Sequence, residues 1–190
     1  MGNINQFNFI ARYYDQLIKF KDDDLVMQLA KLPVEGWLLD VGGGTGRVTN
    51  AFRQSVDQVE ILDVSFQMLY VASNKDLKVV CGDGSHIPHK NESFIRVLLI
   101  DALHHCQNQQ EVISEMWRVL KPGGLMMILE PDISTISGKL IVLMEKILIM
   151  RSKFFTNEDL FGQLQKLTNS QIKLNYSGGS SIFVVNKLEK

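Results

Sequence analysis

A run of glycines directly after an apolar stretch gives this chain its strongest chemical signature. Residues 37–41 contain Asp40, and four glycines follow at Gly42, Gly43, Gly44 and Gly46. Glycine lets the backbone take positive φ and lets a ligand approach without a Cβ in the way. A helix that starts after the loop would present free N–H groups and a positive dipole end. The segment therefore predicts a strand, a tight loop and a helix that bind a ligand with an anionic group.

The glycine spacing separates two kinds of nucleotide site. A dinucleotide fingerprint requires G-x-G-x-x-G or G-x-G-x-x-A. Counted from Gly42, its third small residue falls at Arg47, which disfavours that site. The pattern that fits is acidic-x-G-x-G-x-G, which begins at Asp40. For this segment taken alone, a glycine-rich turn without a ligand remains the alternative.

Two further aspartates follow strand-like apolar stretches. Asp63 lies 23 positions after Asp40, which is close to the length of one strand–helix–strand unit. At the tip of a second strand its carboxylate can accept hydrogen bonds from both hydroxyls of a ribose. The alternative is a helix N-cap, with Ser65 or Asp63 capping the helix that begins near Phe66. Asp83 is an acceptor only when ionised, which suits an exocyclic amine, and its alternative is an Asp-Gly turn.

Two adjacent histidines follow the most apolar strand-like stretch. Phe94–Ile100 reads as a central parallel strand, and residues 101–106 come next. Ligands of open α/β sheets lie beyond the carboxyl ends of the strands, so this tip is expected at the reacting centre. His104 or His105 could act as a general base, because histidine titrates near neutrality. Packing and capping are the alternatives, and zinc binding with Cys106 is disfavoured because adjacent residues rarely point at one ion.

These residues need alternating strands and helices to bring them together. Strands are predicted at 37–41, 59–63, 77–81, 94–100, 125–130, 171–176 and 181–186. Helices are predicted at 5–18, 22–32, 46–54, from 66, and at 109–120, 138–155 and 158–167. The Lys121-Pro122-Gly123-Gly124 segment is predicted to stop a helix before the fifth strand.

Composition narrows the classes of function. The chain has 190 residues, a net charge of −1 and 45% hydrophobic residues, which favours one globular domain and no nucleic-acid partner. Its two cysteines form no CxxC pair, so no metal site is predicted. The apolar run 140–150 is too short to span a bilayer. The first residues lack the regions of a signal peptide, so a cytoplasmic location is expected.

Taken together, these motifs resemble class I S-adenosylmethionine (SAM) methyltransferases of the small-molecule branch. The acidic-x-G-x-G-x-G segment resembles their first motif, and Arg118–Gly124 before an apolar strand resembles their post-core motif. Asp63-Val64-Ser65 and Leu103-His104-His105 resemble ubiquinone/menaquinone C-methyltransferases in particular. The resemblance implies an α/β fold with a Rossmann-like doubly wound sheet, mostly parallel with an antiparallel last strand. Residues 131–170 depart from the quinone enzymes, which puts quinone acceptors in doubt.

The resemblance also implies a cofactor site for SAM and its product S-adenosylhomocysteine (SAH). It implies that Asp63 accepts from the ribose and that Asp83 accepts from the adenine amine. The segment 9–15 resembles a lid over the cofactor, although a helix that merely packs on the sheet is the alternative. The implied cofactor-binding residues are Tyr14, Asp40, Gly42, Gly43, Gly44, Gly46, Asp63, Val64, Met68, Gly82, Asp83, Gly84, Asp101 and Ala102. His104 is the implied catalytic residue.

One domain is expected to carry this activity in four parts. They are N-terminal lid helices at 1–33, a cofactor-binding core at 34–130, a variable acceptor or dimer region at 131–170, and a strand pair at 171–190. The helix at 138–155 is apolar nearly all round, so it is expected to be buried on more than one face. It would then roof a pocket for an apolar or aromatic acceptor, or seal a homodimer.

Two other functions remain open from the sequence. One is a non-catalytic SAM-binding scaffold or partner subunit, because the motifs report binding and not turnover. The other is an NAD-dependent oxidoreductase, which Arg47 disfavours. Methylation of DNA bases is disfavoured because no Asn/Asp-Pro-Pro-aromatic stretch follows the fourth strand and no Pro-Cys occurs.

Overall fold

A computed structural model describes residues 23–147 and 152–189 of the chain. The strands are β1 Trp37–Val41, β2 Gln58–Asp63, β3 Lys78–Cys81, β4 Phe94–Ile100, β5 Leu120–Pro131, β6 Ser170–Ser177 and β7 Ser180–Lys187. The helices are α1 Asp23–Leu29, α2 Thr49–Phe52, α3 Phe66–Ser73, α4 Gln109–Val119, α5 Ile136–Ile147 and α6 Asn157–Leu164, with a 3₁₀ turn at Leu103–His105.

The strands of the described residues form one sheet in the order β3-β2-β1-β4-β5-β7-β6. β1 pairs in parallel with both β2 and β4, and β7 pairs antiparallel with β5. The chain reverses its direction of travel across the sheet between β1 and β4, which is where open α/β sheets bind ligands. The predicted α/β fold, with a doubly wound sheet and an antiparallel last strand, is confirmed.

Apolar layers on both faces hold this sheet in place. Alternate residues of β1 face opposite sides, so Leu39 packs in one cluster with Met116 of α4, and Leu38 packs in another with Phe52 of α2. Each of these side chains is fully buried. Complete burial of such a side chain contributes about 1.5–3 kcal/mol. With both faces covered, the carboxyl ends of the strands are left to meet a ligand.

The helix after the glycine loop begins later than predicted. We expected it at 46–54, whereas α2 spans only Thr49–Phe52. Gly46 has a φ of +70°, outside the range of a right-handed helix, and its N–H donates to the Gly43 carbonyl in a turn. The loop therefore extends three residues further than predicted, and α2 is a single helical turn.

The post-core segment takes a different form from the predicted turn. Leu120 pairs with Phe94 and Leu125 pairs with Arg96, so residues 121–124 form an irregularity within β5. Gly123 there has a φ of +75°. The extra residues are accommodated as a bulge, which leaves both ends of the segment paired with β4.

The predicted apolar helix at 138–155 is also shorter than expected. α5 spans Ile136–Ile147, and residues 152–156 are not helical. The reason is local, because the Lys153 N–H donates to the His104 carbonyl and so joins this segment to the end of β4. Leu140, Leu143 and Met144 are 53–56% exposed, so the second buried face expected for this helix is not covered by the described residues of the chain itself. In the described part of the chain, no helix has the length and apolar character needed to cross a bilayer.

Candidate functional site

A cavity of about 310 Å³ lies at the carboxyl ends of β1, β2, β3 and β4. It is lined by the glycine loop, by the tips of these strands and by the start of α3. The lining residues are Asp40, Val41, Gly42, Gly43, Gly44, Thr45, Arg47, Val48, Leu62, Asp63, Val64, Ser65, Met68, Gly82, Asp83, Gly84, Ile100, Asp101, Ala102, His105, Cys106 and Gln107. The volume lies in the range of small-molecule sites, about 300–1,000 Å³.

The glycine loop forms one wall of the cavity and closely approaches the end of β4. Gly42 and Gly44 have φ of +72° and +55°, values that residues other than glycine rarely adopt. A Cβ at Gly42 would lie 2.6 Å from the Cβ of Ala102. At Gly44 the nearest protein atom to such a Cβ would be Asp63 Oδ2, at 3.9 Å. Gly42 therefore permits packing within the protein, whereas Gly44 leaves room in the cavity.

Asp63 ties the glycine loop to the tip of β2. Its Oδ2 accepts from the Gly44 N–H at 3.0 Å, and its Oδ1 accepts from the Ser65 N–H at 2.7 Å. Burial raises the pKa of this carboxyl, and the two backbone hydrogen bonds oppose that rise. Ser65 is the N-cap of α3, because its hydroxyl accepts from the Met68 N–H at 3.2 Å. Of the two caps considered for α3, Ser65 is the one that the structure shows, and Asp63 lines the cavity.

Asp40 lies beneath the loop and is only 3% exposed. Burial raises the pKa of its carboxyl to about 7; the hydrogen bond from the Thr49 hydroxyl opposes the rise and the nearby Asp63 adds to it. A Cβ at Gly43 would lie 2.5 Å from Asp40 Oδ2. The carboxyl group and the loop are therefore packed too closely for a side chain at that position.

The residues that follow β3, at the tip of the strand, also line the cavity. Asp83 Oδ1 accepts from the N–H and the hydroxyl of Ser85, at 2.8 and 2.9 Å. The Gly82 N–H donates to the Asp63 carbonyl at 3.0 Å, which holds this tip beside that of β2. Met68 of α3 is buried and lines the same cavity. The lining therefore combines carboxylate acceptors with apolar surface.

The end of β4 has an unusual backbone. Asp101 has a φ of +52°, and its N–H donates to the Leu129 carbonyl at 2.9 Å. Aspartate tolerates this left-handed conformation better than most residues. Cys106 lines the cavity nearby, and burial is the main cause that raises the pKa of its thiol to about 12. The thiol is therefore protonated near neutral pH and is a poor nucleophile.

The two adjacent histidines occupy different environments. His104 is absent from the cavity lining; it is 3% exposed, and its Nδ1 lies 2.6 Å from Glu130 Oε2. Its ring stacks on Phe154 with centroids 4.5 Å apart. His105 lines the cavity, and its Nδ1 lies 3.1 Å from the Ser152 hydroxyl. Of the two, His105 is the one placed to meet a ligand.

Sequence reasoning missed Glu130, whose carboxylate contacts the β4 tip. Its Oε1 accepts from the Ala102 and Leu103 N–H groups at 3.1 and 2.9 Å. A signal was present, because Glu130 ends an apolar strand that neighbours the strand carrying the histidines. Acidic residues after β1 and β2 were weighed for this reason, and the same reasoning applied to β5 would have found it.

The structure brings together most of the residues implied for the cofactor. The cavity lining includes Asp40, Gly42, Gly43, Gly44, Asp63, Val64, Met68, Gly82, Asp83, Gly84, Asp101 and Ala102. Gly46 and His104 are not in that lining, and Tyr14 lies outside the described residues. Within residues 23–147 and 152–189, no group of three or more His, Cys, Asp or Glu side chains could hold a metal ion.

Comparison with known proteins agrees with this geometry. A family model described as a methyltransferase domain matches residues 39–128. A demethylmenaquinone methyltransferase of Bacillus licheniformis is 32% identical over 65% of this chain and 60% of its own length. An uncharacterized protein of Methanocaldococcus jannaschii is 25% identical over 96% of this chain and 91% of its own length. DhpI in complex with SAH has a TM-score of 0.74 at 17% identity, covering 98% of this chain and 96% of that chain.

These comparisons show which family the chain resembles and how much of its relatives' length it spans. The domain match and the named relatives confirm the resemblance to class I SAM methyltransferases. The chain spans about half the length of the curated methyltransferases that it matches. The solved structure, at its low identity, supports the fold alone.

The raised pKa of Asp40 predicts a stability that depends on pH. The folded carboxyl keeps its proton up to about pH 7, whereas an unfolded aspartate ionises near pH 3.9. Between these values the folded state binds more protons, so the contribution of Asp40 to stability falls as pH rises. Asp40→Asn should remove that fall, which amounts to roughly 4 kcal/mol at most.

Urea unfolding at several pH values between about 4 and 7 measures this effect as the difference between variant and wild type. Asp76→Asn, at an exposed aspartate, is the matched control. The free energy of unfolding of Asp40→Asn should rise relative to wild type as pH increases. Parallel curves for the two proteins would contradict a raised pKa at Asp40.

Proposed function

We propose that this chain transfers the methyl group of SAM to a small apolar or aromatic molecule, because residues 39–128 match a methyltransferase domain. The observation that carries the proposal is the cavity at the strand tips, which Asp40, Asp63 and Asp83 line together with the glycine loop. Such a set of groups fits a ligand that combines a nucleoside with an amino acid. Glycines give close access to the ligand, and carboxylates accept from its hydroxyls and amines.

Each wall of the cavity is assigned a part of the cofactor in this proposal. Asp63 holds the ribose hydroxyls, because it lies at the tip of β2 and is fixed by the Gly44 and Ser65 N–H groups. Asp83 accepts from the adenine amine, and Met68 packs against the ring. The glycine loop contacts the amino-acid part. These assignments leave the end of β4 to face the acceptor.

Methyl transfer requires the chain mainly to position the acceptor next to the methyl group and to exclude water. When bound, SAM supplies a methyl group on a sulfonium, which is already a good leaving group. The residues around it need to hold an acceptor in line at about 3 Å and to keep the site dry. His105, which lines the cavity, is placed to take a proton from an acceptor that must lose one.

A small aromatic or apolar acceptor is favoured by two observations. One relative is named demethylmenaquinone methyltransferase, and the wall at the end of β4 includes Ile100, Ala102 and the neutral thiol of Cys106. Residues 131–170, which differ from the quinone enzymes in sequence, would then adapt the site to another acceptor. Transfer of radiolabelled methyl groups from SAM to a panel of phenols, quinols and amines tests the proposal. SAM binding without transfer to any member would favour a non-catalytic scaffold.

Removing the Asp63 carboxylate should weaken cofactor binding. Asp63→Ala loses hydrogen bonds to a charged acceptor, and such bonds contribute about 1.5–3 kcal/mol. The dissociation constants of SAM and SAH measured by calorimetry should therefore rise by roughly 10- to 150-fold. Asp24→Ala, at an exposed aspartate of α1, should bind SAM like wild type. Unchanged affinity in Asp63→Ala, or no binding by wild type, would contradict the proposed site.

Replacing the histidines should separate turnover from binding. If His105 acts as a base, His105→Ala should lower kcat by about 10²- to 10⁴-fold with little change in SAM affinity. His104→Ala should have the smaller effect, because His104 lies behind His105 with ring centroids 4.0 Å apart. Equal turnover of His105→Ala and wild type would assign His105 to packing. A larger loss in His104→Ala would restore His104 as the catalytic residue.

The exposed face of α5 supports the homodimer expected from the sequence. Ile136, Leu140, Leu143 and Met144 are spaced to lie on one side of the helix, and all are more than half exposed. We therefore expect wild type to be a dimer by light scattering. Leu140→Ser with Leu143→Ser should dissociate it while leaving SAM affinity unchanged. Leu188→Ser, at an exposed leucine near the end of the chain, is the control, and a monomeric wild type would contradict this interface.

A further inference from the structure

Glu130 joins β5 to the end of β4 through both of its carboxylate oxygens. The residue is 9% exposed. Its Oε1 accepts from the backbone N–H groups of Ala102 and Leu103, at 3.1 and 2.9 Å. Its Oε2 lies 2.6 Å from His104 Nδ1. An ionised carboxylate only accepts hydrogen bonds, so the proton of that contact belongs on Nδ1 of the histidine.

These bonds act on a part of the backbone that needs support. Asp101, just before Ala102, has a φ of +52°, a left-handed conformation that aspartate tolerates better than most residues but that is still less favourable than the right-handed region. Ala102 in turn lies against the glycine loop, since a Cβ at Gly42 would be 2.6 Å from its own Cβ. A displacement of the β4 end would therefore move one wall of the cavity and the loop beside it.

The segment 152–156, which follows α5, packs against His104 at the end of β4. Its Lys153 N–H donates to the His104 carbonyl at 2.8 Å, and Phe154 stacks on the His104 ring. The Gln109 side-chain amide donates to the carbonyls of Leu103 and Lys153, at 2.9 and 2.6 Å. The position of His104 thus affects both the end of β4, which lines the cavity, and the segment 152–156, which packs on His104.

We propose that Glu130 is a positioning residue with two separable tasks. Through Oε1 it sets the end of β4 against the glycine loop and so supports cofactor binding, a part that rests on the proposed function. Through Oε2 it fixes His104 in the tautomer with a proton on Nδ1, which orients the rings of His104 and His105 beside the cavity. Neither task requires Glu130 to touch the cofactor, and Glu130 is absent from the cavity lining.

Two substitutions separate the tasks. In Glu130→Gln the amide oxygen can still accept from the two backbone N–H groups, while the amide nitrogen faces His104 as a donor. His104 Nδ1 must then accept, so the imidazole proton moves to Nε2. Glu130→Ala removes both sets of bonds. Glu111→Gln, at an exposed glutamate of α4, is the matched control.

Nitrogen-15 NMR of the four histidines of the full chain reads the tautomers directly. Wild type and Glu111→Gln should show His104 protonated on Nδ1, and Glu130→Gln should show it protonated on Nε2. SAH affinity measured by calorimetry should stay within about twofold in Glu130→Gln and fall about tenfold or more in Glu130→Ala. Circular dichroism checks that each variant is folded.

Each task can be overturned independently. An unchanged His104 tautomer in Glu130→Gln overturns the task assigned to Oε2. Wild-type SAH affinity in a folded Glu130→Ala overturns the task assigned to Oε1. Should Glu130→Ala fail to fold, Glu130→Asp, whose shorter side chain cannot span both sets of donors, takes its place with the same expected loss. A wild type that binds no SAH refutes the proposed function, and the tautomer comparison then still tests Glu130.

Discussion

Parallel pairing of β1 with a neighbour on each side is the constraint on which the rest of this structure depends. Because β2 and β4 run in the same direction as β1, the chain must leave all three strands at the same edge of the sheet. The residues that follow the strands are therefore brought together although they lie far apart in the sequence. Asp40, Asp63 and Asp101 come to line one cavity in this way. The loops that follow these strands must then pack closely against one another.

That requirement explains why the site combines glycines with carboxyl groups. Side chains at Gly42 and Gly43 would collide with Ala102 and Asp40. The loop gains support from Asp63, which accepts a backbone N–H from Gly44. Burying these carboxyl groups removes them from water and destabilises their charged forms, which raises the pKa of Asp40 and of Asp63. A ligand with positive charge offsets that destabilisation, and a sulfonium cofactor has such a charge.

The sequence predicted this part of the molecule well because period and spacing determine it. β1 and β4 have the predicted bounds, and the strand tips carry the residues that line the cavity. The failures occur where tertiary contacts override local pattern. Gly46 has a left-handed backbone conformation, so α2 begins later than predicted. After α5, the Lys153 N–H donates to the His104 carbonyl, and the chain there is not helical. Glu130 has the same kind of signal as Asp40 and Asp63, an acidic residue at the end of an apolar strand. Its partners, the backbone N–H groups that follow β4, become evident only once β5 is known to lie beside β4.

The two cysteines of the chain differ in a way that is useful in the laboratory. Cys106 lies in the cavity wall with a thiol that burial keeps protonated, whereas Cys81 is exposed at the end of the edge strand β3. Thiol reagents react with accessible thiolates, so they should select Cys81. Its neighbour Gly82 lines the cavity. The natural sequence thus provides one attachment point for a fluorophore beside the ligand, without any engineered cysteine.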